Sequence, residues 1–278
     1  MKKWMTILAC LFITSAAVAQ EDTEVKSDTT KVKFGDVNVI IVDEDVEVTT
    51  APSDDDDDEG GSRIGDKEEL THWAGIDAGV NMLMNSSGST SLPEGAEWLE
   101  TDPIRSMSWS FNLFEQKIRI VKDYVGVMTG LGITYNSYGL KNNVQVLKTD
   151  SMTTAVDIPD SLFSYNKNKL RATYLRVPLM LEFNTSNDPD RTFHVAAGVT
   201  GGLRIGSITK QEYKIDGAKH KDRIKDDFNL NPFMLDASVR VGYRDFTIWA
   251  NYGLTSLFEE DKGPEVYPLS VGITIVPF

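Results

Sequence analysis

Polar and apolar side chains alternate along residues 192–206, TFHVAAGVTGGLRIG. Most apolar residues fall on odd-numbered positions, and His194, Thr200 and Arg204 fall on even-numbered positions. A half-buried strand of a soluble protein turns its apolar face inside, whereas a strand of a membrane barrel turns that face toward lipid. The alternation therefore predicts a strand with two chemically different faces, and the rest of the chain has to decide which face points inward.

The same alternation occurs in seven further segments, so eight strands are predicted. These segments are residues 72–84, 106–114, 124–138, 174–183, 232–243, 246–254 and 267–278. No charged residue interrupts the central part of the aliphatic face in any of them. Because a Lys or Arg that faces the middle of a bilayer costs roughly 2–4 kcal/mol, this pattern favours an aliphatic face that is turned outward to lipid.

The connections between the segments also alternate in length. Long connections follow the first, third, fifth and seventh segments, and short ones follow the second, fourth and sixth. Outer-membrane barrels have short periplasmic turns and longer extracellular loops, and closing the sheet leaves no unpaired strand edge in the hydrocarbon. The predicted fold is therefore all-β, an eight-stranded antiparallel transmembrane β-barrel over residues 71–278 with an acidic N-terminal arm.

The first residues have the composition of a secretory signal. Lys2 and Lys3 precede an apolar run, and Ala17-Val18-Ala19 supplies the small residues that signal peptidase accepts. We therefore expect residues 1–19 to be a signal peptide. An N-terminal membrane anchor is the alternative, although the run is shorter than the roughly 20 apolar residues that a spanning helix needs. A lipoprotein modified at Cys10 is a second alternative.

Charge divides the remaining chain into two parts. Residues 21–69 contain 18 acidic and 5 basic residues, whereas the chain as a whole has a net charge of -14. The five consecutive aspartates at 54–58 repel one another and stay hydrated, so residues 20–70 are interpreted as an acidic, largely flexible periplasmic arm. Within it, residues 32–48 are β-branched enough for a short hairpin, and residues 55–66 loosely resemble a calcium-binding loop.

Many of the side chains that are predicted to point into the barrel are charged. They include three arginines, three carboxylates and one histidine, namely Asp77, Arg176, Glu182, His194, Arg204, Asp236 and Arg240. An eight-stranded barrel is just wide enough for its side chains to fill it, and a buried charge needs a partner. We expect a structural network of salt bridges, and a narrow polar path or a small-ligand cavity is the alternative. Six aromatic residues near the segment ends are candidates for interfacial girdles: Trp73, Tyr135, Tyr174, Phe183, Tyr243 and Tyr267.

Little in the sequence indicates enzymatic chemistry. The only cysteine is Cys10, and none of the three histidines has the context of a catalytic nucleophile. We therefore predict no catalytic, cofactor-binding or metal site, and the absence of a basic stripe argues against nucleic acid as a partner. Residues 207–230 mix six lysines and arginines with five acidic side chains. They form either a solvated hairpin or a contact for anionic lipopolysaccharide headgroups.

Four stretches resemble the PorT-like outer-membrane β-barrel proteins of Bacteroidota, which carry an outer membrane protein beta-barrel domain. They are HWAGIDAGVN, TYLRVPLMLEF, DDFNLNPFMLDASVRVGY and WANYGLTSLFEEDKGPEVYPLSVGITIVPF. The resemblance covers residues 72–278 and implies a secretion-related role without a catalytic motif. We therefore expect a non-enzymatic outer-membrane protein of a Gram-negative bacterium, with a structural, adhesive or secretion-accessory role. A narrow porin-like channel is the alternative.

The expected partners follow from that location. They are outer-membrane lipid and lipopolysaccharide, the barrel-assembly machinery, and secretion or envelope proteins. The assembly signal of such barrels is an alternating strand that ends in an aromatic residue. Phe278 is present, but it is out of phase with Tyr267, Leu269, Val271, Ile273 and Ile275. Either the chain kinks at Pro277 or the signal is read with one residue of slack.

Overall fold

A computed structural model describes residues 29–34, 37–42, 45–50, 71–149, 151–215 and 217–277. The predicted signal peptide, the aspartates at 54–58 and the calcium-like loop lie outside the described residues. The chain divides into two compact units, Met1–Ser62 and Arg63–Phe278. Among the described residues, no helix is both long enough and apolar enough to cross a membrane.

The described residues of the first unit form three short strands rich in β-branched residues. These are β1 (Thr29–Phe34), β2 (Val37–Val42) and β3 (Asp45–Thr50). They pair antiparallel in the order β1-β2-β3. The residues that were expected to form a short hairpin thus form a three-stranded sheet.

The second unit contains eleven described strands and two short 3₁₀ helices, Glu97–Leu99 and Pro189–Arg191. The strands are β4 (Gly75–Met84), β5 (Met107–Val121), β6 (Val125–Gly139), β7 (Val144–Lys148), β8 (Thr153–Asp157), β9 (Tyr165–Asn184), β10 (Phe193–Ile215), β11 (Ala218–Lys225), β12 (Phe233–Tyr243), β13 (Phe246–Gly253) and β14 (Tyr267–Pro277).

Eight of these strands close into a ring. Following the chain, β4, β5, β6, β9, β10, β12, β13 and β14 each pair antiparallel with the next, and β14 pairs with β4. The eight-stranded antiparallel barrel is therefore confirmed. Because the ring is closed, its strands have no free edge to expose to hydrocarbon.

The long connections contain strands that the sequence did not predict. β9 and β10 have 20 and 23 residues, whereas a tilted strand needs about 9–11 to cross a membrane. Their long-loop halves continue to pair, from Thr173↔Gly206 up to Tyr165↔Tyr213, and β11 pairs with β10 from Lys225 to Ala218. Residues 207–225 are thus mostly strand rather than loop, and β7 pairs with β8 in a separate hairpin.

The two faces of the barrel wall differ as the alternation predicts. Exposed aliphatic side chains cover the outside, among them Val177, Leu179, Leu181, Val199, Leu203, Val239, Val241, Ile248, Ile273 and Ile275. The inside contains buried polar residues and two apolar clusters. One cluster, Trp73, Met128, Met180 and Ala196, fills the lumen, and the other gathers loop and strand residues at the long-loop end, including Leu99, Leu140, Leu230 and Phe258.

Five shifts of register by one residue interrupt the pairing of the described strands. They lie between Asn112 and Phe114 and between Arg119 and Val121 in β5, between Arg204 and Gly206 and between Glu212 and Tyr213 in β10, and between Thr274 and Val276 in β14. The shift in β14 supplies one residue of slack shortly before the C-terminus. Phe278 itself lies outside the described residues.

Candidate functional site

The lumen near the short-turn end is organised around Asp77. Arg240 donates from Nη1 and Nη2 to the two carboxylate oxygens, at 2.9 and 3.1 Å. Thr274 and Asn112 donate to the same carboxylate at 2.6 and 2.8 Å. Asp77 and Arg240 are 1% and 3% exposed. Since these residues come from β4, β12, β14 and β5, one buried carboxylate joins four strands of the wall.

Trp73 lies between two guanidinium groups. The Cζ atoms of Arg176 and Arg240 are 5.3 and 5.2 Å from the centre of its ring, which is within the range of a cation–π interaction. Arg176 also donates to the hydroxyls of Ser110 and Thr134, at 3.0 and 2.9 Å. Trp73 is fully buried, so its assignment to an interfacial girdle is wrong. Tyr174, which is 3% exposed inside the barrel, is a second error of the same kind.

The polypeptide reaches the lumen just before β4. The backbone N–H groups of Trp73 and Ala74 both donate to Glu115, each at 2.8 Å. Gly130 provides the necessary space, because a Cβ there would lie 2.9 Å from atoms of the Trp73 ring and 2.3 Å from the Phe114 carbonyl oxygen. The small residues on the inward face of β6 thus accommodate the large groups that fill the lumen.

A second charged pair lies closer to the short turns. Lys117 donates to Glu182 at 2.8 Å, and both side chains are 0% exposed. Asn184 donates to the same carboxylate at 3.2 Å. Lys117 was not among the predicted inward residues, because strict alternation from Met107 turns it outward. The bulge between Asn112 and Phe114 reverses that parity, and the apolar residues Phe114, Ile118 and Ile120 are the sequence signal for the reversal.

His72 and His194 stack beside this pair. Their ring centres are 3.6 Å apart, and the ring planes make an angle of 15°. His194 Nε2 is 2.9 Å from the Thr247 hydroxyl, and His72 Nδ1 is 3.5 Å from Glu182. Histidine, carboxylate and hydroxyl groups therefore meet, but His194, Glu182 and Thr247 are all buried in the packed end of the lumen. These contacts pack the short-turn end of the barrel.

Two of the predicted inward residues lie apart from this network. Arg204 is half-buried at the long-loop end, where it donates to the Ser207 hydroxyl at 2.9 Å and to the Asp227 carbonyl oxygen at 3.1 Å. Asp236 is buried near the same end and lines a small cavity with Tyr138 and Tyr174. The other five, Asp77, Arg176, Glu182, His194 and Arg240, lie in the short-turn half or the middle of the barrel.

No metal or cofactor site was expected, and the described residues contain no group of three or more His, Cys, Asp or Glu side chains that could hold a metal ion. The groups that would serve as ligands are instead engaged with arginine, lysine, asparagine and hydroxyl partners in the lumen. The arrangement is suited to holding charges in place inside a closed wall.

Comparison with known proteins gives one family and one structural likeness. The sequence model described as "Outer membrane protein beta-barrel domain" matches residues 72–259, which is more than half of the chain. No curated protein sequence matches. Two crystal structures of Ail, the attachment invasion locus protein of Yersinia pestis, are similar at 10% identity. The one in complex with the heparin analogue sucrose octasulfate has a TM-score of 0.29 and covers 72% of this chain and 93% of Ail. The other has a TM-score of 0.25 and covers 72% and 97%.

Proposed function

Because this chain belongs to the outer membrane protein beta-barrel domain family, we propose that it is a closed, non-enzymatic barrel that displays a rigid β-sheet at the cell surface for binding other envelope molecules. The family places the domain in the outer membrane. The PorT-like resemblance adds a secretion-accessory role as one form of this function, and adhesion is the other.

The filled lumen is the observation on which the proposal chiefly rests. A channel needs a continuous path for water, but the lumen holds Trp73, Met128, Met180 and the Asp77–Arg240 network. The apolar cluster at the long-loop end adds a second layer of packed side chains. The barrel therefore serves as a membrane anchor, and binding is left to the parts of the chain outside it.

The part best suited to binding is the paired extension of β9, β10 and β11 beyond the barrel, named here the outer sheet (residues 165–173, 206–215 and 218–225). It continues the hydrogen-bond ladder of the wall, so it is held in place by the barrel. Loops that are positioned by a rigid scaffold commonly carry binding residues. The acidic N-terminal arm, residues 20–70, is the second candidate for binding, and its partners would be periplasmic secretion or assembly proteins.

Conductance measures whether the barrel is closed. The purified mature protein is inserted into planar lipid bilayers and its current is recorded. Insertion is verified by the shift in gel mobility between unheated and boiled samples, which is typical of intact barrels. We expect no single-channel steps. Reproducible steps from heat-modifiable protein would contradict the closed barrel and support the porin-like alternative.

Cysteine labelling measures whether the outer sheet is at the cell surface. The chain has one cysteine, Cys10, which falls within the predicted signal peptide, so an added cysteine is the only one in the mature protein. A membrane-impermeant maleimide should label Lys219→Cys on intact cells. The matched variant Asp188→Cys, in a short turn, should react only after the outer membrane is permeabilised. The reverse pattern would refute the proposed orientation.

A further inference from the structure

The outer sheet has an unusual distribution of charge between its faces. In β9, Lys167, Lys169 and Arg171 share the outward parity of the aliphatic Leu175 and Val177. Residues that lie opposite each other in an antiparallel pair project to the same side of the sheet. The residues of β10 that pair with Lys167, Lys169 and Arg171 therefore also point outward, and so do their partners in β11. The outward positions of β10 and β11 can therefore be read from the register.

The register places further cations on that face. Lys169 is opposite Lys210, Lys210 is opposite Arg223, and Lys214 is opposite Lys219. Nine lysines and arginines occupy the outward positions of the outer sheet: Lys167, Lys169, Arg171, Lys210, Lys214, Lys219, Lys221, Arg223 and Lys225. Among the described outward positions of these three strands, Glu212 is the only acid.

Three other described acidic residues of the same region lie off this face. Asp222 is on the opposite face of β11, where it accepts a hydrogen bond from the Tyr213 hydroxyl at 3.0 Å. Asp226 and Asp227 follow β11 and bind Lys148 at 3.1 and 2.7 Å. Residues 207–230 thus alternate in charge along the sequence but not in the fold. Their lysines and arginines lie on the outward face, whereas Asp222, Asp226 and Asp227 lie off it.

Glu212 lies among the cations of this face. It lies within 3.0 Å of Lys219 and within 3.7 and 3.9 Å of Lys167 and Lys221. Burial raises the pKa of Glu212, but the hydrogen bond from Lys219 and the charges of the neighbouring lysines outweigh it, so the net pKa is lowered. One ionised carboxylate is therefore shared by three lysines.

The height of these cations follows from strand geometry. A strand rises about 3.3 Å per residue, so a tilt of roughly 40° leaves about 2.5 Å of height per residue. The exposed apolar face of β9 begins at Phe183, at the short-turn end of the strand. Ten residues farther along, at Thr173, the strand has risen about 25 Å, the height of the apolar band of an outer-membrane barrel. Arg171 and Lys169 then stand at the level of the lipid headgroups.

From this placement we propose that the outward face of the outer sheet binds the phosphate groups of lipopolysaccharide in the leaflet around the barrel. Lysine and arginine near an anionic membrane surface attract its headgroups, and a guanidinium matches phosphate with two parallel hydrogen bonds. The face is continuous with the lipid-exposed aliphatic band, so a lipid seated against the wall presents its headgroup to the cations above. This inference rests on the proposed function and names the partner of its binding surface.

The test measures binding of fluorescently labelled lipopolysaccharide to the full mature protein in detergent micelles. In the face variant, Lys169→Gln, Arg171→Gln and Lys210→Gln remove three cations. The matched control carries the same loss of charge in the outer loops, through Arg105→Gln, Lys141→Gln and Lys262→Gln, three partly exposed residues away from the face. Gel mobility of unheated samples shows that each variant is folded.

Each cation near the surface is worth roughly a fivefold change in affinity, so we expect the face variant to bind at least about tenfold more weakly. The control should stay within about twofold of the wild type. Glu212→Gln should bind more tightly by a few fold, a gain that misfolding cannot produce. Enzymatic removal of the lipopolysaccharide phosphates should reduce wild-type binding as strongly as the face variant does.

Three outcomes would overturn the proposal: equal weakening by the control, tighter or unchanged binding in the face variant, or no response to phosphate removal. Competition by millimolar inorganic phosphate would show a site for free phosphate rather than for the lipid surface, and would overturn it as well. None of these results alters conductance or cysteine labelling, so failure of this inference is distinguishable from failure of the proposed function.

Discussion

Replacing Arg240 with methionine tests whether the buried network stabilises the barrel. The variant keeps most of the side-chain volume but removes the partner of Asp77 in a lumen where both residues are almost fully buried. Breaking a buried ion pair by removing one member typically costs about 3–5 kcal/mol, because the remaining charge is left uncompensated. Arg240→Met should therefore lower the free energy of unfolding by that amount.

The contacts of Arg240 place the expected loss in the upper part of this range. Besides two bonds to Asp77, its guanidinium donates to the Thr274 hydroxyl at 2.8 Å and to the His72 carbonyl oxygen at 3.1 Å. Hydrogen bonds that involve a charged group contribute about 1.5–3 kcal/mol each. Thr274 and Asn112 still donate to Asp77 in the variant, so part of the carboxylate's stabilisation remains.

A double-mutant cycle separates the pair from its surroundings. Asp77→Asn removes the negative charge and leaves the buried Arg240 guanidinium without its carboxylate partner, so this variant should also be destabilised. The double variant buries no member of the pair as a charge, and its loss should be smaller than the sum of the two single losses by about 1–3 kcal/mol. Urea titration in detergent micelles, followed by the heat-modifiable gel band, measures all four proteins. Additive losses, or a single-variant loss below about 1 kcal/mol, would refute the reasoning.

Three further predictions concern the wall and the outer loops. Leu179→Arg, near the middle of the aliphatic band, should cost about 2–4 kcal/mol, whereas Ile205→Arg, equally exposed but near the rim, should cost about 0–1, and urea titration compares them. Gly130→Ala should prevent the heat-modifiable band from forming, because its Cβ would lie 2.3 Å from the Phe114 carbonyl oxygen. The hydrogen bond from Lys148 lowers the pKa of the Asp227 carboxyl below its ordinary value of 3.8, so this contact is complete above that value and is lost as the pH falls through the lowered pKa. Lys148→Gln should move the Asp227 titration, followed by NMR, back up toward 3.8.

The alternation of side chains was sufficient to predict the barrel. Each of the eight segments coincides with all or part of one strand of the ring, and the faces follow the parity of residues such as Arg176 and Leu179. This succeeded because a wall with lipid on one side and a packed lumen on the other imposes a period of two on every strand. Where the strands leave the bilayer, the outward face loses its aliphatic residues, and the strand extension in residues 207–225 was interpreted as loop.

The errors inside the barrel have two physical causes. Lys117 was missed because a bulge reverses the parity of β5, and the bulge is visible only in the aliphatic residues that follow it. Trp73 and Tyr174 were assigned to the membrane interface because of their position near segment ends. Both share the inward parity of Asp77 and Arg176, so parity was the better guide than residue type.

The two charged regions of this protein obey different electrostatic rules. In the lumen, desolvation makes an unpaired charge costly, and Asp77 with Arg240 and Glu182 with Lys117 form pairs between side chains that are almost fully buried. The outer sheet gathers nine lysines and arginines on one face, where contact with water lowers the cost of placing like charges side by side. A surface of one sign of charge raises the local concentration of counter-ions. Charges that have to be paired inside the barrel are therefore suited, on the outer sheet, to attracting lipid phosphate.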